Sequence, residues 1–66
     1  MMNFYTFRVY TYAQNAAHMM CGKDDHTMAT IEAPNATEAY YKAMAMFPNC
    51  YTYYDGDRAD LDIVGF

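Results

Sequence analysis

Serine and tryptophan are absent from this 66-residue chain, and Leu, Ile and Val together amount to Val9, Ile31, Leu61, Ile63 and Val64. Without serine there is no serine nucleophile, and glycines at 22, 56 and 65 alone make no phosphate-cradling loop. Basic residues are as scarce. Arg8, Lys23, Lys42 and Arg58 stand against eight acids, for a net charge of −4. That balance argues against direct nucleic-acid binding, which needs clustered Lys and Arg for phosphate contacts. No run approaches the roughly 20 apolar residues of a membrane span. The N-terminal "MMNFYTFRVYTYA" lacks the basic and leucine-rich regions of a signal peptide. The expectation is a cytoplasmic, non-enzymatic protein with no membrane contact and no cofactor. Cys21 and Cys50 are then reduced thiols, although export would let them pair.

What is present replaces the missing aliphatic bulk. Seven Met, four Phe and eight Tyr exclude the disorder that few aliphatics and a net charge would otherwise suggest. A chain this short buries only about 60% of the surface its unfolded form exposes, so it forms one small domain of marginal stability. Its core is built from Phe, Met, Ala and parts of Tyr. Eight Tyr exceed what such an interior can hold, so several reach the surface. There they either cover a sheet face or offer the rigid amphipathic area favoured at binding surfaces.

Along the chain, "NFYTFRVYTYA" (3–13) reads as a strand. Alternation sets Tyr5, Phe7 and Val9 on one face, and Phe4, Thr6, Arg8, Tyr10 and Tyr12 on the other, wetter face. "HTMATIEA" (26–33) is a second strand with Ala29, Ile31 and Ala33 inward. The connection 14–25 is either a short helix, "NAAHMMC", closed by Gly22, or an extended hairpin turning at "GKDD". A helix follows. Asn35 is its N-cap with Glu38 at capping-box spacing, and Ala36, Ala39, Tyr40, Ala43, Met46 and Phe47 form its apolar stripe. Glu38 and Lys42 are spaced as an i,i+4 pair, and Pro48 ends the helix. "CYTYY" (50–54) is a third strand, "DGDRAD" a turn, and "LDIV" (61–64) a fourth strand. The fold class is α+β: ββαββ, one helix on a mainly antiparallel four-stranded sheet of order 2-1-3-4.

Two clusters carry candidate chemistry. In "HMMCGKDDH" (18–26), His18, Cys21 and His26 have ligand chemistry, and Cys50 would complete a Cys2His2 set for a metal-stabilised domain. The spacing matches no zinc template, and Met19 and Met20 belong to a protein that uses Met throughout, so an ordinary connection without metal is expected. In "DGDRADLD" (55–62), Asp55, Asp57, Asp60 and Asp62 place four carboxylates in eight residues. The calcium-loop pattern fails, because Phe66 stands where the bidentate Glu is needed. The bland reading is a solvated turn and a charge-protected edge strand. The sharper one uses strand geometry: alternate residues lie about 6.8 Å apart, close to the phosphate spacing of one nucleic-acid strand. With Tyr51, Tyr53 and Tyr54 beside it, such a segment can imitate a phosphate backbone and dock in a basic groove. A third reading uses Tyr10, Tyr12, Tyr51 and Tyr53 as a stacking platform for single-stranded nucleic acid.

"TIEAPNATEAYYKAMAMFPN" (30–49) is a strand ending in Glu-Ala, a small polar turn and a capped Ala-rich helix. This third of the chain resembles small phage-encoded proteins, including anti-CRISPR proteins with one helix on an antiparallel sheet. The resemblance implies an inhibitor that binds a host protein or nucleoprotein complex, such as a CRISPR–Cas complex, and blocks its nucleic-acid groove. It assigns no residue a role. The expected contact residues are Asp55, Asp57, Asp60, Asp62, Tyr51, Tyr53 and Tyr54, on a monomer or weak homodimer.

Overall fold

The computed structural model describes residues 2–61. Strand β1 (Asn3–Tyr10) leads into helix α1 (Tyr12–Cys21), then strand β2 (Thr27–Ala33), helix α2 (Ala36–Met46) and strand β3 (Tyr51–Tyr54). A single 3-10 turn, Arg58–Asp60, follows. The sheet is antiparallel, in the order β2-β1-β3. The fold class is therefore α+β, but the ββαββ architecture is corrected. Among the described residues there are three strands and two helices, in the order βαβαβ. Strand order 2-1-3 is what these residues carry of the expected 2-1-3-4. Of the expected fourth strand, Leu61 lies outside any strand, and 62–64 lie outside the described residues.

The second helix accounts for the difference. Thr11 does not continue β1. Its hydroxyl accepts from Gln14 N at 3.2 Å, while Gln14 Oε1 accepts from Thr11 N at 3.0 Å. This reciprocal capping box satisfies two otherwise orphan donors and starts α1 at Tyr12. Gly22 ends the helix in the left-handed conformation, with φ of 73° and its N–H on the His18 carbonyl. Of the two readings left open for 14–25, the helix closed by Gly22 is the one observed, and it begins at Tyr12, three residues before Asn15.

The core lies on the Phe7 face of the sheet. Phe7, Ile31, Ala33, Ala39 and Ala43 form one buried cluster, with Tyr5, Ala29, Tyr40 and Tyr54 packed at its margin. Register explains the grouping: Phe7 stands between Ala29 and Tyr54, and Tyr5 faces Ile31. Helix α2 can approach the sheet closely because its buried row is Ala36, Ala39 and Ala43. Asn35 caps it, accepting from Glu38 N at 2.8 Å. Met46, expected in the apolar stripe, is exposed. Lys42 reaches back to donate its ammonium to the Glu32 carbonyl of β2 at 3.0 Å.

The opposite face also differs from expectation. Tyr10, assigned to the wetter side, is 2% exposed, because α1 and the segment after it fold over that end of β1. Phe4, on the same face, is 71% exposed, since α1 covers only the Tyr10 end.

Two phenylalanines three residues apart thus have opposite fates, and the contrast is measurable. Phe7→Ala should cost about 3–5 kcal/mol by urea unfolding, most of the stability of so small a domain. Phe4→Ala should stay within about 0.5 kcal/mol of the parent.

Candidate functional site

Residues 18–26 fold back onto β1 around one carboxylate. Asp24 Oδ1 accepts the Tyr10 hydroxyl at 2.5 Å and lies 3.3 Å from His26 Nδ1 and 3.8 Å from His18 Nδ1. Each imidazole also has Nδ1 2.9 Å from a main-chain carbonyl, Lys23 O for His18 and Asp24 O for His26. A carbonyl only accepts, so both Nδ1 atoms carry their protons. The Tyr10 ring stacks obliquely on both imidazoles, at 5.6 and 5.3 Å, and meets Tyr53 edge-on at 5.5 Å. This is a clamp that seats the connection over the sheet. Asn15 ties the same helix to β3, accepting from Tyr53 Oη at 3.2 Å. Sequence reasoning passed over Asn15 and Asp24; the T-x-x-Q spacing at 11–14 was the available signal that 15 lies on a helix.

Of the four residues of the metal alternative, His18 and His26 meet at Asp24, but the set of four is not assembled. Cys21 is exposed at the end of α1, and Cys50 is half-buried just before β3; both are free thiols. Among the described residues, no group of three or more His, Cys, Asp or Glu side chains could hold a metal ion. The stacking platform loses Tyr10 to the interior, whereas Tyr12 and Tyr51 remain exposed, with ring centroids 6.4 Å apart.

The second cluster lies at the far end of β3. Asp55, Asp57 and Asp60 are all exposed, and Asp62 lies outside the described residues. The segment is a turn rather than a strand, so the carboxylates are not spaced by strand alternation. Asp55 N bonds Thr6 O at 2.9 Å, which carries the chain one residue past β3 along β1. Asp57 Oδ1 accepts from Ala59 N at 2.9 Å, and Asp60 N donates to Asp57 O, closing the 3-10 turn. Arg8 Nε approaches Asp55 Oδ1 at 3.5 Å. This is an ion pair without a formed hydrogen bond, since Arg8 Nε is buried with no hydrogen-bond partner.

The three tyrosines of β3 divide between two roles. Tyr51 and Tyr53 are 41% and 43% exposed. Tyr54 turns to the core, its ring 5.3 Å from Phe7 and 6.3 Å from Tyr5. Its hydroxyl donates to Asp60 Oδ2 at 3.0 Å. Gly56 is required beneath that ring, where an added Cβ would stand 2.5 Å from Tyr54 Cζ. Burial first, and then Asp60, push the Tyr54 hydroxyl up to about 12. Tyr54 therefore anchors the acidic turn to the core, and Tyr51 and Tyr53 remain as the accessible rings beside it.

Two shallow clefts run along β3 beneath α2. One, of about 560 Å³, is lined by Tyr40, Thr52, Tyr53, Tyr54 and Leu61 among others. The other, of about 330 Å³, is lined by Tyr40, Met44, Phe47, Tyr51, Thr52 and Tyr53 among others. A comparison with family models, curated proteins and solved structures finds no match for this chain. No helix of the described residues is long and apolar enough to cross a membrane.

The clamp has a pH signature. The hydrogen bond from Tyr10, helped by the two imidazoles and opposed by burial, holds the Asp24 carboxyl below the usual carboxylate range. The same hydrogen bond, then burial, raises the Tyr10 hydroxyl above its ordinary value. Asp24 thus stabilises the fold at pH above about 4, and that contribution is lost as pH falls through its lowered pKa. Tyr10 stabilises below about pH 10, and its contribution is lost as pH rises through its raised pKa. Tyr10→Phe removes the shared bond. The stability gap between parent and variant, from urea unfolding, should be flat at neutral pH and shrink toward both extremes. A gap independent of pH would show that the bond does not form in solution.

Proposed function

We propose that this protein is a non-enzymatic inhibitor that acts by contact, docking its acidic, tyrosine-bearing β3 end into a basic groove of a host nucleic-acid-handling complex of the CRISPR–Cas kind. One observation carries the reading. Asp55, Asp57 and Asp60 are exposed together, immediately after an edge strand that presents Tyr51 and Tyr53. The internal bonds of Asp57 and Asp60 hold the turn in shape. Preformed carboxylates of one sign, beside rigid aromatic area, suit a surface lined with Arg and Lys. Net charge of −4 adds steering toward such a groove and away from nucleic acid itself.

Phosphate imitation by strand spacing is not required. The turn supplies a compact acidic knob, and the rings beside it supply contact area. The clamp around Asp24 plays its part at a distance, by seating α1 on Tyr53.

Asn keeps the acceptor oxygens that hold the turn, so Asp55→Asn, Asp57→Asn and Asp60→Asn together remove charge with little change of fold. With roughly 0.5 kcal/mol for each screened charge pair, the triple variant should bind its partner complex about tenfold more weakly. The partner should bind nucleic acid less well when the parent protein is added, and recover as salt rises. Undiminished binding and inhibition by the triple variant, with unchanged circular dichroism, would defeat the assignment of this surface.

A further inference from the structure

The two edges of the sheet are not equivalent. On the β2 side, Lys42 places its ammonium on the Glu32 carbonyl, and Pro34 follows the strand directly. A charged lysine on an edge carbonyl is one of the devices that make an edge unattractive to another strand. Among the described residues the β3 edge has no such device. Its sequence, Tyr-Thr-Tyr-Tyr, contains no charge and no proline. Among the described residues it pairs with β1 alone. Half of the main-chain N–H and C=O groups of this four-residue strand accordingly point away from the sheet.

Among the described residues that edge is open, and it borders a groove. The clefts of about 560 and 330 Å³ share Tyr40, Thr52 and Tyr53, so together they follow the whole of β3 beneath α2. Met44 and Phe47 line the end near Tyr51, and Leu61 the end near Tyr54. The Thr52 hydroxyl is buried in this wall with no hydrogen-bond partner. An edge strand beside a helix, with an apolar floor between them, is the geometry that takes an extended peptide as an added strand. Main-chain hydrogen bonds supply affinity there, and alternate side chains of the peptide enter the groove.

Charge selects the occupant. The groove ends at Asp55, Asp57 and Asp60, all exposed. On the accessible side Arg8 is held by Asp55, and Lys42 is held by β2. We infer that β3 receives an extended segment of the partner that alternates basic and apolar residues, added as a strand along Tyr51–Tyr54 in the groove beneath α2. This inference rests on the proposed docking surface and specifies how the partner's chain meets it. The apolar side chains lie against Met44, Phe47 and Tyr40, and the basic side chain at the Tyr54 end lies against the carboxylates of the turn.

The test uses the full chain, isotope-labelled, and three synthetic peptides. One alternates lysine with valine, the second alternates glutamate with valine, and the third is the lysine peptide with alternate peptide nitrogens methylated. The lysine peptide should shift the amide signals of Tyr51–Tyr54 and slow their exchange with solvent. The glutamate peptide should not bind. N-methylation keeps charge and side chains but removes the donors of one strand edge, so it should weaken binding about tenfold or more. Equal binding of the methylated peptide, with β3 amides unmoved, overturns strand addition while leaving the acidic docking surface standing. Failure of the lysine peptide to bind at low salt also overturns strand addition, and the docking surface is then judged by the triple Asp→Asn variant alone. Protection of the β3 amides that grows with protein concentration, without peptide, assigns the edge to a second copy of this chain and overturns the proposal.

Discussion

Strand β1 is the central strand, paired with β2 along one edge and, over Phe7–Tyr10, with β3 along the other, and that half of it is covered on both faces. On one face Phe7 sits under the alanine row of α2. On the other, Tyr10 is enclosed by α1, the 22–26 connection and Tyr53. Among the described residues, so few of them aliphatic, the buried hydrophobic cluster is the one around Phe7. Placing the two largest fully buried side chains, Phe7 and Tyr10, on the same strand lets both helices be fastened to one element. The sheet thereby becomes the middle layer of a thin three-layer unit, although the α1 layer is partial and leaves Phe4 in water.

Tyrosine does work in this protein that leucine and serine would share in a more ordinary one. Tyr54 is a core ring whose hydroxyl reaches out to hold the acidic turn. Tyr10 is a core ring whose hydroxyl holds the Asp24 connection, and Tyr53 links α1 to β3 through Asn15 while keeping much of its ring exposed. In each case an apolar body is buried against aromatic neighbours, and a polar tip finds an acceptor at the margin. The hydroxyls of Tyr10 and Tyr54 both point to carboxylates, and both are raised above their ordinary range, Tyr10 first by its bond to Asp24 and Tyr54 first by burial. Acidic residues in this chain are thus not uniformly surface charge: Asp24 and Asp60 are also acceptors for core tyrosines.

Sequence pattern reaches the parts of this fold that rest on periodicity. Helix α2 is legible from the Asn35 cap and the Ala36, Ala39, Ala43 spacing. The inward set Tyr5, Phe7 and Val9 follows from strand alternation, as do Ala29, Ile31 and Ala33. What periodicity misses is decided by local hydrogen bonding and by tertiary contact. The aromatic run through Tyr12 reads as strand, and only the Thr11–Gln14 exchange breaks it. Burial of Tyr10 depends on where α1 folds, which nothing in residues 3–13 encodes. The "HMMCGKDDH" stretch has soft ligand chemistry in its sequence, yet its histidines commit Nδ1 to main-chain carbonyls and its cysteine faces solvent. For the candidate surface, Tyr51, Tyr53 and the aspartates are visible as a cluster. The inward turn of Tyr54, and the non-strand spacing of Asp55 to Asp60, follow from the Tyr54–Asp60 bond and the 3-10 turn, neither of which has a sequence period.

The acidic turn and the open edge are related through that same tyrosine. Because Tyr54 faces the core, β3 keeps its register against Phe7, and its outer main-chain groups are held in a fixed plane. Because the Tyr54 hydroxyl bonds Asp60, the turn is drawn back over the end of the strand rather than continuing along it, and Gly56 gives the ring the room this needs. The carboxylates then gather at one end of the β3 groove instead of spreading along its length. A strand arriving on that edge would meet hydrogen-bonding groups along its backbone and negative charge at one terminus only. The asymmetry favours one direction and one register of approach, the kind of constraint that lets a four-residue edge discriminate between partners.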